Sequence, residues 1–182
     1  MRVIVTRPAA EAAEWLQALR SHGFDAIGLP LIEIAAPADP LPLQRAWARI
    51  DSYRAAMFVS ANAVRGFFAA KMAGTAFGPR AWATGAGTRN ALLAAGVAAA
   101  QVDSPPADSA QFDSEALWQV VQQQCHADCR VLLVRGGEGR DWLEQRLLER
   151  GVAVETVMAY SRRRPQWDAA QEALAASTSE NA

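Results

Sequence analysis

Four times along this chain a short apolar run ends in a small polar turn and passes straight into a helix-forming stretch. Arg2-Val3-Ile4-Val5 leads to Thr6-Arg7-Pro8, and Met57-Phe58-Val59 to Ser60-Ala61-Asn62. Trp82-Ala83 leads to Thr84-Gly85-Ala86-Gly87, and Val131-Leu132-Leu133-Val134 to Arg135-Gly136-Gly137. Continuous apolar runs separated by helices are the pattern of strands covered on both faces. The chain is therefore expected to build a parallel sheet whose ligands sit at the carboxyl ends of the strands.

Helix and strand signals divide the 182 residues further. Ala12, Trp15, Leu16 and Leu19 share one helical face over Ala9 to His22, Gly23 stops that helix, and Asp25 to Leu29 reads as a second strand. Pro30, Pro37, Pro40 and Pro42 then surround Leu31-Ile32-Glu33-Ile34, an extended connector and a domain boundary. Beyond it, helices are expected over Leu43 to Arg49, Ala63 to Lys71, Thr88 to Ala95, from an Asp113 or Ser114 cap to about Gln124, and over Arg140 to Glu149. Strands are expected over Ala55 to Val59, Arg80 to Ala83, Ala98 to Val102, Arg130 to Val134 and Ala153 to Tyr160. A last helix is expected to carry Trp167, Ala170 and Leu174. The fold class is thus α/β: a doubly wound parallel-sheet domain over residues 36–158 and a second α/β domain begun by residues 1–30.

Composition narrows the function. A content of 51% apolar residues is ample for a core, and the net charge of -1 with both signs interspersed leaves no basic field for nucleic acid. No apolar run approaches the about 20 residues of a membrane span, and no charged and apolar leader precedes the first strand, so a cytoplasmic protein is expected. Of the 18 cationic side chains, Lys71 is the sole lysine, so any Schiff-base chemistry would fall to it. Cys125, His126 and Cys129 stand close together, but a structural zinc needs a fourth ligand and the other histidine, His22, is remote; two reduced thiols and no metal are expected.

The ordered set Val5-Thr6-Arg7-Pro8, Phe58-Val59-Ser60-Ala61-Asn62-Ala63-Val64, Gly85-x-x-Thr88, Asp113-Ser114-Glu115-x-Leu117, Leu133-Val134-Arg135-Gly136 through Gly139-Arg140, and Val157-x-x-Tyr160 resembles the uroporphyrinogen-III synthase family. The resemblance implies two α/β domains joined by a two-stranded connector, here residues 31–35 and 159–164. The first domain would be assembled from residues 1–30, 165–182 and a C-terminal portion of about 60 to 90 residues that the sequence lacks, by the size of βαβ units. The shortened chain is then expected to show little activity by itself and to be prone to self-association, although family members are monomers. The implied reaction closes the linear tetrapyrrole hydroxymethylbilane to uroporphyrinogen III in heme biosynthesis, inverting the last pyrrole ring. It uses no metal and no organic cofactor, and hydroxymethylbilane synthase is a transient partner.

Loss of the terminal hydroxyl as water leaves a cationic azafulvene, and inversion passes through a spiro intermediate. The protein must therefore fold the substrate and assist one proton transfer. Tyr160 matches the tyrosine proposed in the family to help the hydroxyl leave, since a phenol carries a transferable proton at neutral pH; the alternative is that it only packs at a strand end. The substrate's many carboxylates would be met by backbone amides at helix starts and by hydroxyls at strand ends, from Ser60, Ala61, Asn62, Thr84, Gly85, Thr88 and Gly136. Thr6, Ser60 and Thr84 have simple helix capping as their alternative. Arg7 and Arg135 would clamp carboxylates or lie solvated, and Arg162 to Arg164 would coat an exposed connector.

Two other readings remain open at this stage. Gly85-Ala86-Gly87-Thr88-Arg89-Asn90 after a strand, with Asp103 beyond it, is a partial dinucleotide-binding pattern, although Asn90 stands where a small residue is needed. A non-catalytic two-lobed binding protein is the other; a receiver module is disfavoured because Thr6-Arg7 replaces the acidic residues it needs at its first strand.

Overall fold

A computed structural model describes residues 1–106, 113–137 and 142–179. By internal contacts the chain divides into two units, Met1–Ala35 with Arg162–Ala182, and Ala36–Ser161.

In the first unit, β1 (Arg2–Val5) and β2 (Asp25–Gly28) pair in parallel with Arg2 opposite Asp25 and Val5 opposite Gly28. The crossover between them is α1 (Ala9–Ser21), which starts after Pro8, whose carbonyl accepts from the amides of Glu11 and Ala12. It ends at Gly23, where a φ of 80° requires glycine. Arg20 ties helix to strand by donating twice to the carbonyl of Ala26. The last helix, α7 (Ala169–Ser179), starts two residues after Trp167 rather than including it. The reason is a reciprocal cap: Asp168 Oδ1 accepts from the Gln171 amide at 2.8 Å and Gln171 Oε1 from the Asp168 amide at 3.1 Å. The Trp167 indole instead donates to the Pro30 carbonyl at 2.7 Å.

The larger sheet has the order β3-β8-β7-β4-β5-β6, from β3 (Glu33–Ala35), β4 (Ala55–Phe58), β5 (Arg80–Ala83), β6 (Val102–Asp103), β7 (Arg130–Gly136) and β8 (Ala153–Arg163). Strands β4 to β8 pair in parallel throughout. All four residues of β4 are buried, as befits a central strand covered on both faces. On one face, Met57, Trp82 and Leu133 pack with Leu117, Trp118 and Val121 of α5 (Ser114–Val121) and with Leu143 and Leu147 of α6 (Trp142–Glu149). On the other lies an aromatic cluster. Trp47 of α2 (Leu41–Ala48) stacks on Phe67 of α3 (Ala61–Ala69) at 4.6 Å, and Phe58 meets Phe67 edge-on at 5.5 Å. The remaining helix is α4 (Ala86–Ala94), packed beside α3.

Several expected elements differ in their bounds. Ala98 to Val102 is a 3₁₀ turn over Ala99–Gln101 followed by the two-residue β6. Its backbone is held in that turn by Gln101, whose amide donates to the carbonyls of Phe77, Gly78 and Pro79, and by Arg80, which donates to the Ala100 carbonyl and pairs with Asp103. Helices α3 and α4 start two residues early, because Ser60 and Gly85 are the extended residues before them. β8 does not stop at Tyr160 but runs to Arg163, with a register shift: Arg135 faces Met158 and Gly136 faces Tyr160, leaving Ala159 as an extra residue. Asp113, not Ser114, caps α5, accepting from the Ala116 amide at 2.9 Å. Gly139 and Arg140 lie outside the described residues.

Candidate active site

The order β6-β5-β4-β7-β8 is built outward from β4 in both directions, so the connection reverses between β4 and β7. In open α/β sheets this reversal point, at the carboxyl ends of the strands, is where a crevice opens. β4 delivers Val59 and Ser60 there, and β7 delivers Arg135 and Gly136. β5 delivers Thr84 and Gly85, and β8 delivers Tyr160.

Ser60 is the N-cap of α3, its Oγ accepting from the Ala63 amide at 3.1 Å, so the capping expectation holds for it. The same hydroxyl donates to the Tyr160 hydroxyl at 3.3 Å. Ala61 and Asn62 form the first turn of α3, where backbone amides have no carbonyl partner within the helix. The Asn62 side chain accepts from Arg65 at 2.8 Å. Thr84 is not a cap: Gly85 holds that position in extended backbone, and Thr84 Oγ1 donates to the Val59 carbonyl at 3.3 Å, tying the end of β5 to the end of β4. Thr88 is buried in the first turn of α4. Thr6 does not cap α1 either; Pro8 takes that place without a side-chain bond, and Thr6 is exposed, its carbonyl accepting from the Leu31 amide.

The two candidate arginines both have partners within the chain. Arg7 lies 3.7 Å from Glu11 and over the Trp15 ring. Arg135 donates to the Gly137 carbonyl at 2.9 Å and lies 4.0 Å from Glu144, which bends it back over the turn after β7. Arg162, Arg163 and Arg164 are exposed.

Tyr160 is 4% exposed whereas Met158, two residues earlier on the same strand, is 51% exposed. Strict alternation would put both on one face. The extra residue Ala159 turns Tyr160 inward, onto Gly136, where any Cβ would lie 2.3 Å from the ring. A second glycine, absent from the sequence reading, supports the bulge from behind: a Cβ on Gly66 of α3 would lie 2.1 Å from the Ala159 carbonyl oxygen. The signal available for Gly66 was a glycine inside an otherwise strongly helical stretch, Ala61 to Ala69. The ring packs, and the hydroxyl reaches the capped start of α3.

A family model described as uroporphyrinogen-III synthase HemD matches residues 13–181. The chain belongs to the uroporphyrinogen-III synthase family. It is 30% identical over 178 residues to the uroporphyrinogen-III synthase of Salmonella typhimurium, covering 96% of this chain and 70% of that protein. With the uroporphyrinogen-III synthase of Synechococcus elongatus it shares 32% identity over 168 residues, covering 90% of this chain and 61% of the relative. The fold is that of a mutant uroporphyrinogen III synthase from Thermus thermophilus (TM-score 0.58, 20% identity, covering 91% of this chain and 64% of that one). It is also that of uroporphyrinogen-III synthetase from Helicobacter pylori (TM-score 0.52, 16% identity, 96% and 68%).

Membership in this family sets the dinucleotide pattern aside, and the geometry agrees. The glycine turn follows β5 rather than a strand at the reversal point, and the Asp103 carboxylate is engaged by Arg80 and by Gln124 at 3.2 Å. Cys125 belongs to the core, its thiol donating to the Val121 carbonyl and pushed up to about 11, chiefly by burial. Among the described residues, no three His, Cys, Asp or Glu side chains converge and no helix is long and apolar enough to cross a membrane.

Proposed function

We propose that the chain carries the uroporphyrinogen-III synthase reaction, a lyase reaction that removes water from hydroxymethylbilane and closes the ring with inversion of the last pyrrole. The observation that carries this reading is the seat of Tyr160: a phenol whose ring lies against Gly136, on a bulge at Ala159 that packs on Gly66, with its hydroxyl beside the capped start of α3 at the reversal point of the sheet. Tyr160 gives its proton to the departing hydroxyl, the C–O electron pair leaves with the oxygen as water, and the azafulvene cation stays on the substrate. The amides of Ala61 and Asn62, with Gly85 and Thr88 at the start of α4, receive substrate carboxylates. Arg7 and Thr6 are proposed to bind carboxylates from the first unit. Arg135 holds the turn after β7 and acts through its shape.

The test is to incubate the protein with freshly generated hydroxymethylbilane and separate the oxidised products by isomer. Unassisted closure yields the symmetric type I ring, so type III product above that background supports the reading and sets aside the expectation of little activity from this chain by itself, whereas type I alone overturns the reading.

A further inference from the structure

We propose that Ser60 is a positioning residue that acts through Tyr160: its hydroxyl, held by the first turn of α3, donates to the Tyr160 oxygen and receives the negative charge that appears there when the phenol gives up its proton. This rests on the proton-donor reading of Tyr160 above and adds a group that does not touch the reacting atoms.

Three independent constraints converge on the pair. Ser60 Oγ accepts the Ala63 amide at 3.1 Å, which fixes the oxygen and leaves its proton to point elsewhere; the Tyr160 oxygen, at 3.3 Å, receives it. The ring of Tyr160 is seated where a Cβ of residue 136 would lie, and the Ala159 bulge that carries it packs onto Gly66. The Ala63 amide belongs to the positive end of α3, so the chain amide, serine hydroxyl, phenol is polarised toward the phenol oxygen. When the Tyr160 proton passes to the leaving hydroxyl, water departs and the substrate becomes the azafulvene cation. The phenolate oxygen then keeps the serine hydrogen bond until ring closure releases a proton back to it, so the cycle balances without a further reactant. A hydrogen bond that strengthens only as charge develops lowers the barrier without tightening ground-state binding.

Three variants separate positioning from capping. Ser60→Thr keeps both the cap and the donated proton. Ser60→Asp keeps the cap, since its carboxylate accepts the Ala63 amide, but has no proton to donate. Ser60→Ala loses both. The expected result is wild-type turnover for Ser60→Thr and about ten-fold lower kcat for type III formation in Ser60→Asp and Ser60→Ala, the size of one charge-assisted hydrogen bond. KM should stay within about two-fold. In a Tyr160→Phe background Ser60→Asp should cost nothing further.

A measurement that needs no turnover accompanies it. The chain has two tyrosines, so subtracting the Tyr160→Phe Raman spectrum isolates the Fermi doublet of Tyr160, whose intensity ratio falls when the phenol oxygen stops accepting a hydrogen bond. It should fall in Ser60→Asp and not in Ser60→Thr. The proposal is overturned if Ser60→Asp restores what Ser60→Ala loses, which would make capping the whole effect. It is equally overturned if Ser60→Asp slows the Tyr160→Phe protein by the same factor, or if the doublet is unchanged. Should Tyr160→Phe itself leave the rate untouched, the proton-donor reading falls instead, and Ser60 loses its catalytic meaning even with the hydrogen bond intact.

Discussion

The two tyrosines of this chain stand at opposite ends of one sheet, equally buried at 3% for Tyr53 and 4% for Tyr160, and differ in what meets the hydroxyl. At the amino end, Tyr53 donates to Glu155 Oε2 at 2.7 Å, and Arg49 closes the same carboxylate from the other side at 2.5 Å. Burial first, then the hydrogen bond and charge of Glu155, push the Tyr53 phenol up to about 12, with Arg49 offsetting part of the rise. Its proton is locked in a structural triad. At the carboxyl end the Tyr160 oxygen accepts from the Ser60 hydroxyl at 3.3 Å, and the ring lies against Gly136. Burial of a tyrosine therefore says little about its role.

Gly66→Ala tests whether the carboxyl end is as sterically determined as the contrast requires. Its Cβ would overlap a backbone carbonyl, which cannot rotate away, so a loss of about 3 kcal/mol in urea-induced unfolding is expected. A loss below about 1 kcal/mol would mean that α3 shifts freely and that the seat of Tyr160 is soft.

At the amino end, Tyr53→Phe removes a donor to a carboxylate and should cost about 1.5 kcal/mol near neutral pH. The pH dependence sharpens the point. An unfolded tyrosine ionises near 10 and folded Tyr53 near 12, so its contribution is fully present below pH 10 and disappears as pH rises through about 12. Cys125, raised from about 9 to about 11, acts in the same direction over a lower window. The wild type should lose stability between pH 10 and 12 with a slope that Tyr53→Phe reduces to the thiol's share. Identical slopes would show that the triad does not hold the phenol's proton.

Tyr160→Phe should behave in the opposite sense. A stability change within about 0.5 kcal/mol is expected, because the ring and its contact with Gly136 remain. The rate of type III formation should fall about ten-fold with substrate affinity nearly unchanged. A large stability loss with an unaltered rate would make Tyr160 a second Tyr53. The smallest effect concerns the thiols: in the native protein iodoacetamide should modify the half-buried Cys129 well before the core residue Cys125, read by mass spectrometry of tryptic peptides. Simultaneous modification would show that the core beneath α5 opens readily.

The alternating units were legible because each is local. Apolar runs mark buried strands, glycines at 23 and 151 stop helices, and Ser60 and Asp113 cap them within three residues of the amides they accept. The same locality explains the misreadings. Thr6 and Thr84 have the right residue type two positions and one position before the cap, and Trp167 has an apolar side chain whose partner, the Pro30 carbonyl, is 137 residues distant.

What the sequence determined by itself is the list of parts: parallel strands, polar turns at their carboxyl ends, a family signature and Tyr160 as a residue to examine. What only the tertiary structure decided is the strand order that puts β4 beside β7, the one-residue slip at Ala159, and the use of Gly66 and Gly136 as surfaces rather than hinges. The physical reason is range. Periodicity and capping act over about four residues and are written in neighbouring letters, whereas a bulge and a steric seat exist only once segments 100 residues apart are brought into van der Waals contact.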